Sequence, residues 1–154
     1  MRAHSATLFR YAYWLCRDRH VAEDLVQETF ARAWRAWREL RDQKLAKAWL
    51  MTILRNERAR MFARKRIETE SEFDEEQLPP APAFEGALEV AQMFAQLPES
   101  YREPLLLQVL GGFSCAEIAG MLGTSEGAVM TRLTRARQAL RQQYADADKR
   151  WVAR

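Results

Sequence analysis

The clearest chemistry in this sequence belongs to a group of arginines near its carboxyl end. Positions 132 to 141 contain no acidic residue and four arginines, Arg132, Arg135, Arg137 and Arg141. A guanidinium group binds phosphate oxygens and the edges of guanine bases, and it stays charged at any physiological pH. The amino end of a helix adds a dipole that favours the same anions. The spacing therefore indicates a nucleic-acid ligand.

Two helices and a tight turn must position these arginines. Ser114 and Glu117 have the spacing of a reciprocal capping box, which predicts the start of the first helix. Gly123 stands where a positive φ is needed to end that helix, and Thr124 and Ser125 are suited to cap the second. Apolar residues face each other across the turn: Ile118, Ala119 and Leu122, then Val129, Leu133, Ala136 and Leu140. This pattern predicts a helix-turn-helix.

The second helix of the pair has a polar outer side. Opposite its apolar residues lie Thr131, Thr134, Arg135 and Gln138, with Arg132 and Arg137 on the two flanks. Such a helix can enter the major groove of DNA with its polar face toward the bases. The alternative is a helical hairpin whose basic face is merely solvated. The capping box, the small Ala119 and the turn glycine favour the DNA-binding interpretation.

No other residues form a candidate catalytic or metal site. Cys16 and His20 are spaced i, i+4, but two ligands do not make a metal site and no further ligand lies nearby in the sequence. The two cysteines are too few and too distant for a disulfide framework. An enzyme is the weakest alternative, because the sequence has two histidines, no phosphate-binding glycine loop and no nucleophile constellation. We expect no catalytic residue, no metal and no cofactor.

The composition is that of a globular chain. Of its 154 residues, 48% are apolar, enough for one or two small domains with modest cores. No apolar run approaches the roughly 18–20 residues of a membrane span, and the start lacks the apolar core of a signal peptide. We therefore expect a cytoplasmic protein that does not insert into a membrane.

The net charge of +3 hides three segments of different charge. Residues 1–67 contain 16 basic and 7 acidic residues, residues 68–83 contain 6 acidic and no basic residues, and residues 84–154 contain 8 of each. The middle segment contains prolines and lacks periodic apolar residues, so it cannot fold alone. The sequence predicts an all-α fold of two small helical domains, 1–67 and 84–145, with a flexible acidic linker between them and a polar tail over 146–154.

Three helices are predicted in the first domain, over about residues 5–16, 21–38 and 45–66. The second helix has an apolar arc of Ala22, Val26, Thr29, Phe30, Ala33 and Trp37, with Trp34 at its edge. Opposite this arc lies a narrow stripe of mixed charge, made of Asp24, Gln27, Glu28, Ala31 and Arg35. The stripe is either a solvated surface or a contact surface for a partner, and the helix alone does not decide between them. Asp42, in the loop over 39–44, is in position to cap the third helix.

The third helix has apolar residues on more than one side. One side carries Leu45, Trp49, Ile53, Asn56, Arg60 and Ala63, a second carries Leu50, Leu54 and Met61, and a third carries Lys47, Arg55, Arg58 and Lys65, interleaved with Met51 and Phe62. In one interpretation, one apolar side packs on the domain and another meets a ligand. Cationic groups beside aromatic rings suit single-stranded or distorted nucleic acid. The alternative, left equally open, is a buried central helix with a basic end.

The second domain is predicted to open with a short helix that ends at Pro98. Ser100 and Glu103 have the spacing of another capping box, which predicts the start of the next helix. Pro104 would then lie just beyond the first turn and force a slight kink or a later start. Past Leu140 the chain is polar and is predicted to fray, with Trp151 as an anchor at its end.

Four motifs follow one another along the chain. They are Asp-Leu-Val-Gln-Glu-Thr-Phe over 24–30, Ala-Trp-Leu and then Arg-Asn within 48–56, Leu-Pro-Glu-Ser-Tyr-Arg-Glu over 97–103, and Glu-Ile-Ala through Arg-Ala-Arg over 117–137. In type and order these motifs resemble those of bacterial sigma factors. The subgroup that fits best is the extracytoplasmic-function (ECF) subgroup of the sigma-70 family, which retains only conserved regions two and four. The resemblance covers about residues 5–144.

The resemblance implies partners for these surfaces. An ECF sigma factor binds core RNA polymerase and directs promoter-specific transcription initiation by recognising −10 and −35 elements. The mixed-charge stripe matches the region-two surface that grips the clamp helices of the largest polymerase subunit, through Asp24, Gln27, Glu28 and Arg35. An anti-sigma factor that covers polymerase-binding faces is a further implied partner.

The resemblance also implies two DNA-binding surfaces. The loop over 39–44 matches the segment that holds a flipped base of the −10 element, and the helix after it matches the −10 reader. The candidate −10 residues are Arg41, Lys44, Trp49, Arg55, Asn56, Arg58 and Arg60. The helix-turn-helix matches the −35 reader, with candidates Ser125, Glu126, Thr131, Arg132, Arg135 and Arg137. The main alternative, a free-standing helix-turn-helix regulator, explains only residues 84–145 and leaves the first domain without a role.

Overall fold

A computed structural model describes residues 2–68 and 87–152 of the chain. It divides into two compact units, Met1–Pro79 and Pro80–Arg154. Every regular element in the described ranges is an α-helix or a short 3₁₀ turn, so the all-α prediction is confirmed. The predicted linker lies outside the described residues, apart from Glu68, which ends a helix. Within the described ranges, no helix has the length and apolar character needed to cross a membrane.

The first unit contains three helices, α1 (Arg2–Cys16), α2 (Arg19–Arg35) and α3 (Ala46–Glu68). Arg17 joins α1 to α2 with a φ of 55°, in the left-handed region. Asp18 then caps α2, because its side chain accepts hydrogen bonds from the backbone N–H groups of His20 at 2.8 Å and Val21 at 3.2 Å. This cap starts α2 two residues before the predicted position.

The other end of α2 also differs from the prediction. The helix ends at Arg35, and a 3₁₀ turn over Trp37–Glu39 follows, where the sequence pattern had extended the helix to residue 38. Trp37 thus leaves the helical repeat and is 51% exposed, so its place in the apolar arc was wrong. Trp34, expected at the edge of that arc, is 75% exposed. Two large aromatic side chains therefore lie at the surface near the end of α2.

The core of the first unit lies where the three helices meet. It contains Leu8, Tyr11, Ala12 and Leu15 from α1, Ala22, Leu25, Val26, Thr29 and Ala33 from α2, and Leu50, Met51 and Leu54 from α3. Met51 is fully buried, although the helical pattern placed it among the basic residues. The buried side of α3 is accordingly centred on Leu50, Met51 and Leu54, and the side with Trp49, Ile53 and Asn56 is left at the edge of the core.

The second unit contains α4 (Ala87–Gln96), α5 (Glu99–Val109), α6 (Cys115–Leu122) and α7 (Glu126–Val152). Among the side chains that the structure describes in this unit, the apolar core is formed by residues of α5, α6, α7 and the segments between the helices: Leu97, Leu105, Leu106, Leu107, Phe113, Ile118, Ala119, Val129, Leu133 and Ala136. These include most of the apolar residues predicted to face each other across the turn. The packing half of the helix-turn-helix prediction is confirmed.

Two predictions about the second unit were wrong. Helix α5 begins at Glu99 with Pro98 as its N-cap, so Ser100 lies inside the first turn and forms no capping box. The Pro98 carbonyl accepts hydrogen bonds from Tyr101 N at 3.0 Å and Arg102 N at 2.9 Å, and Pro104 is accommodated as a buried residue inside the helix. A proline at this point removes only the bond that would close on exposed Ser100.

The second error concerns the carboxyl-terminal segment. It does not fray past Leu140, because α7 continues to Val152. Seven of the twelve residues from Arg141 to Val152 are alanine, arginine, glutamine or lysine, which favour helix, and Gln142 donates a hydrogen bond to Asp146 one turn later at 3.2 Å. The anchoring role predicted for Trp151 concerns a side chain outside the described part of the chain.

Candidate nucleic-acid interfaces

The helix-turn-helix is formed by α6, α7 and their connection. Ser114 N donates to Glu117 Oε2 at 2.7 Å and Glu117 N donates to Ser114 Oγ at 3.2 Å, so the predicted capping box is confirmed. Gly123 ends α6 in the left-handed region with φ 65° and ψ 39°, which a glycine adopts without steric cost. Ser125 Oγ accepts a hydrogen bond from Ala128 N at 3.1 Å and caps the start of α7.

The candidate −35 residues lie on or beside the outer side of α7. Ser125, Glu126, Thr131, Arg135 and Arg137 are exposed, and Arg132 is half-buried on one flank. Opposite them, Val129, Leu133 and Ala136 are buried. Arg137 donates a hydrogen bond to Gln108 Oε1 of α5, so its guanidinium is tied to the body of the unit. The arginines nearest the start of α7 are therefore better placed for a ligand than Arg137.

The threonines of α7 have an orientation that the sequence did not reveal. Thr131 Oγ1 donates to the carbonyl of Gly127 at 3.0 Å, and Thr134 Oγ1 donates to the carbonyl of Met130 at 2.9 Å. Both hydroxyl protons are used within the helix. The group that each threonine turns away from the helix is consequently its methyl.

The mixed-charge stripe of α2 is a surface in the structure. Asp24, Gln27, Glu28 and Arg35 are exposed, while Leu25, Val26, Thr29 and Ala33 of the same helix are buried. Thr29 is accommodated in the core because its hydroxyl donates to the carbonyl of Leu25 at 2.7 Å. The stripe therefore contributes little to the core of the unit and is available to a partner.

A cleft between the end of α2 and the middle of α3 brings together several predicted residues. We call it the α2–α3 cleft; its volume is about 380 Å³, and its lining includes Arg35, Ala36 and Glu39 near the end of α2 and Trp49, Ile53, Asn56 and Arg60 of α3. Three candidate −10 residues, Trp49, Asn56 and Arg60, thus share one site. Arg35, predicted to bind polymerase, stands at its edge and belongs to both surfaces.

The other candidate −10 residues lie elsewhere. Arg41 and Lys44 are exposed on the loop between α2 and α3, and Arg55 and Arg58 are half-buried on α3. The Arg58 guanidinium lies 4.9 Å from the centre of the Phe62 ring, a cation–π distance. Burial raises the pKa of the Cys16 thiol, and the charge of Arg58 and a hydrogen bond from it partly lower that pKa. Arg58 is therefore engaged with the body of the unit.

Glu57 is a residue of the cleft that sequence reasoning missed. It is 5% exposed, forms an ion pair with Arg32 of α2, and accepts a hydrogen bond from Arg60 Nη1 at 3.0 Å. Arg32 in turn lies 3.9 Å from Glu28 on the stripe. One sequence signal was present: Glu57 is the only acid between Lys47 and Ile67. A lone acid in a basic helix points to a specific pairing, because every other charged residue between Lys47 and Ile67 is cationic.

A second, smaller cavity lies beside the first. We call it the Trp37–Trp49 pocket; its volume is about 240 Å³ and its lining is His4, Trp37, Leu40, Gln43, Ala46, Trp49 and Leu50. The predicted base-holding loop contributes Leu40 and Gln43 to it, whereas Arg41 and Lys44 do not line it. Asp42 Oδ1 accepts a hydrogen bond from Lys44 N at 2.9 Å and caps the 3₁₀ turn Gln43–Leu45, so the loop has a defined shape.

The structure also shows the surroundings of Cys16 and His20, the two possible metal ligands in the sequence. Cys16 is half-buried and His20 is exposed at the start of α2. Among the side chains that the structure describes, no group of three or more His, Cys, Asp or Glu residues could hold a metal ion. The candidate binding surfaces are therefore the two cavities, the α2 stripe and the outer side of α7.

Comparison with known proteins identifies the family. Residues 1–67 match the family described as Sigma-70 region 2, and residues 87–140 match Sigma-70, region 4. The ECF RNA polymerase sigma factor SigL of Mycobacterium tuberculosis is 38% identical over 146 residues, which cover 90% of this chain and 82% of that protein. The chain belongs to the ECF sigma factors. It is therefore a protein that directs transcription initiation, and the resemblance found in the sequence is confirmed.

Other sigma factors show the same likeness along most of their length. SigM of Bacillus subtilis is 30% identical, with 89% of this chain and 88% of that protein covered. The sigma factor RpoE of Bartonella quintana, solved in complex with the anti-sigma factor NepR, superposes with a TM-score of 0.78 at 31% identity and covers 92% of this chain and 91% of that one. Because the likeness spans both units, a free-standing helix-turn-helix regulator is not favoured.

Proposed function

We propose that this ECF sigma factor holds core RNA polymerase with the α2 stripe, captures the −10 element in the two cavities of its first unit and reads the −35 element with α7. The observation that carries the proposal is the α2–α3 cleft, where Trp49, Asn56 and Arg60 line one site. The chain acts as a specificity subunit without catalysis of its own. Its place of action is the cytoplasm, where polymerase and chromosome are found.

The chemistry of the cleft suits an opened DNA strand. An unpaired base needs a flat apolar surface to stack on, and the phosphates beside it need positive charge. The indole of Trp49 offers the first, and Arg35 and Arg60 offer the second, while Asn56 supplies an amide that can pair with a base edge. Glu57 forms ion pairs with Arg32 and Arg60 and so holds these two guanidinium groups in place in the cleft.

The Trp37–Trp49 pocket suits a base that has left the helix stack. Extruding a base costs a few kcal/mol, so contacts in a shaped and partly apolar pocket must offset that cost. Trp37, Leu40 and Trp49 provide apolar walls, and Gln43 provides an amide with donors and acceptors for a Watson–Crick edge. Trp49 lines both cavities, which would let one strand pass from the cleft to the pocket.

The proposed division of the chain is region two over 1–67, an acidic linker over 68–83 and region four over 84–145. Sixteen linker residues reach at most about 55 Å when fully extended. Two promoter elements about one and a half turns apart are separated by roughly 50 Å at about 34 Å per turn. A segment of this length must be almost fully extended to span that distance, so we expect the chain to hold duplex promoter poorly until polymerase orients it.

An anti-sigma factor is a further proposed partner. The B. quintana sigma factor that superposes on this chain was solved with the anti-sigma factor NepR, and the CnrH structure, at 27% identity and a TM-score of 0.68, contains a domain of CnrY. A partner that covers the α2 stripe would prevent the polymerase contact. Isolation of the chain from its host, followed by identification of proteins bound to the fraction outside polymerase, tests for such a partner; a fraction that is never in complex argues against it.

Transcription in vitro tests the proposed function. The purified chain is added to core RNA polymerase that lacks any sigma factor, on a library of genomic fragments from its host. We expect transcripts from a limited set of promoters that share −10 and −35 sequences, and none from core polymerase alone. Tight sequence-specific binding by the chain without polymerase, together with no added transcription, would instead support a free-standing regulator.

Two arginines of α7 provide a prediction about −35 reading. Arg132→Ala and Arg135→Ala should each weaken promoter binding by the holoenzyme, by roughly 1–3 kcal/mol where a bidentate base contact is lost. Lys149→Ala, which removes an exposed cation near the far end of the same helix, is the matched control for the change in charge. A loss limited to certain −35 sequences indicates base contacts, and an equal loss on all sequences indicates phosphate contacts. If promoter binding is indifferent to both changes, α7 is not the −35 reader.

A further inference from the structure

The outer side of the first turns of α7 is less polar than its sequence suggests. Met130 is a large apolar side chain that is 55% exposed, on the helix that carries Arg132 on one flank and Arg135 on its outer side. On the helical surface it lies next to Thr134, one turn further on, and Gly127, which has no side chain, lies between Met130 and Thr131. The outer side of α7 therefore includes an exposed apolar group beside its charged residues.

The two threonines extend this apolar surface. Their hydroxyls donate to the carbonyls of Gly127 and Met130 at 3.0 and 2.9 Å, so neither hydroxyl has a proton left for a base. The β-carbon of threonine carries one hydroxyl and one methyl, and the hydroxyl is turned back to the helix. Thr131 and Thr134, both exposed, therefore present methyl groups beside the thioether of Met130.

Among the four bases, thymine alone carries an apolar group in the major groove, its C5-methyl, and small apolar side-chain groups are its usual protein contacts. We propose that Met130, Thr131 and Thr134 read thymine methyl groups in the −35 element, in addition to the DNA contacts of the neighbouring arginines. The proposal rests on the proposed entry of α7 into the major groove. It makes Met130 a specificity-determining residue, although its side chain offers no conventional hydrogen bond to a base.

Removal of single methyl groups from the DNA tests the proposal. Holoenzyme first selects preferred −35 sequences from a promoter library randomised there, and we expect thymine on either strand at two or more positions. Each selected thymine is then replaced by deoxyuracil, which lacks only the methyl. Binding should weaken about fourfold for each contacted methyl, the factor that corresponds to about 0.8 kcal/mol for one buried methyl-sized group. Holoenzyme with the Met130→Ala variant should bind thymine and deoxyuracil templates equally well at the DNA position that Met130 contacts.

Two substitutions at one position separate the methyl from the hydroxyl. Thr131→Ser removes the methyl and keeps the hydroxyl, and Thr131→Val removes the hydroxyl and keeps the methyl. We expect the serine variant to bind the selected promoter about fourfold more weakly, again as for one buried methyl group, and the valine variant to bind as wild type does. The opposite order would overturn the proposal, because it would mean that the hydroxyl reads the bases. Neither substitution should change the binding of holoenzyme to a template that contains only the −10 region. Circular dichroism checks that both variants keep their helix content.

The outcomes distinguish this inference from the function on which it rests. If wild-type holoenzyme shows no preference among −35 sequences, the proposed role of α7 fails. If it shows a preference that deoxyuracil does not alter, α7 still reads the element, but not through thymine methyl groups. A preference for sequences without thymine on either strand would likewise overturn the thymine contact and leave the role of α7 intact.

Discussion

The double variant Asp24→Lys/Glu28→Lys is expected to bind core RNA polymerase at least about a hundredfold more weakly than the wild-type chain, since each lost charge pair across an interface typically costs about 2 kcal/mol or more and each 1.4 kcal/mol is tenfold. Both carboxylates are exposed on the α2 stripe, one helical turn apart. Reversing them replaces two proposed attractive contacts with the polymerase by repulsive ones. Folding should survive, because the core of the unit lies on the other side of α2.

The controls for this variant follow from the contacts of each residue. Glu28 lies 3.9 Å from Arg32, so its reversal can also disturb the Arg32–Glu57 pair, whereas Asp24→Lys alone tests the stripe without that contact. Asp146→Lys/Asp148→Lys gives the chain the same net charge through two exposed acids of α7, and it should bind polymerase normally. Affinity is measured by titration of labelled core polymerase. Normal affinity of the α2 variant, together with native-like circular dichroism, would remove the stripe from the interface.

The sequence predicts most accurately those structural features, such as helix caps, that depend only on residues close together in the chain. The cap of α6 needs only Ser114 and Glu117, its end needs only Gly123, and all three were assigned correctly from their spacing. The capping box expected at Ser100 shows the limit of the same rule. Pro98 can begin a helix without a side-chain cap, and its carbonyl accepts the first bonds of α5. A spacing rule does not tell which of two adjacent starts the backbone uses.

Features that depend on residues far apart in the chain were not predictable in this way. The pairing of Glu57 joins it to Arg32, in another helix, and the Trp37–Trp49 pocket needs α1, the loop and α3 to come together. The extent of exposure of Trp34 depends on where α2 ends and what packs beside it. The candidate residues were assigned from the helical pattern of the sequence and from its resemblance to sigma factors. The structure was needed to sort them into those that share a cleft and those engaged elsewhere.

Glu57 forms a network with Arg32 and Arg60 in which the acid is buried and the two arginines are partly exposed. Removing both of its arginines, in Arg32→Ala/Arg60→Ala, should lower the free energy of unfolding by about 3–5 kcal/mol, the usual cost of leaving a buried charge without its partners. Removing the acid, in Glu57→Gln, should cost clearly less. The side chains of Arg32 and Arg60 are 37% and 50% exposed and can turn to water, whereas that of Glu57 is 6% exposed and cannot.

A third variant decides whether this asymmetry comes from the buried charge. Arg32→Ala/Arg60→Ala/Glu57→Leu removes the whole network and leaves an apolar residue in the core, and replacing all members of a buried pair is often close to neutral. It should therefore be more stable than the double arginine variant, although it carries one more substitution. Unfolding in urea, followed by circular dichroism, measures all three. If the triple variant is no more stable than the double variant, the arginines stabilise the unit by packing their aliphatic stems, and the charge of Glu57 is not what requires them.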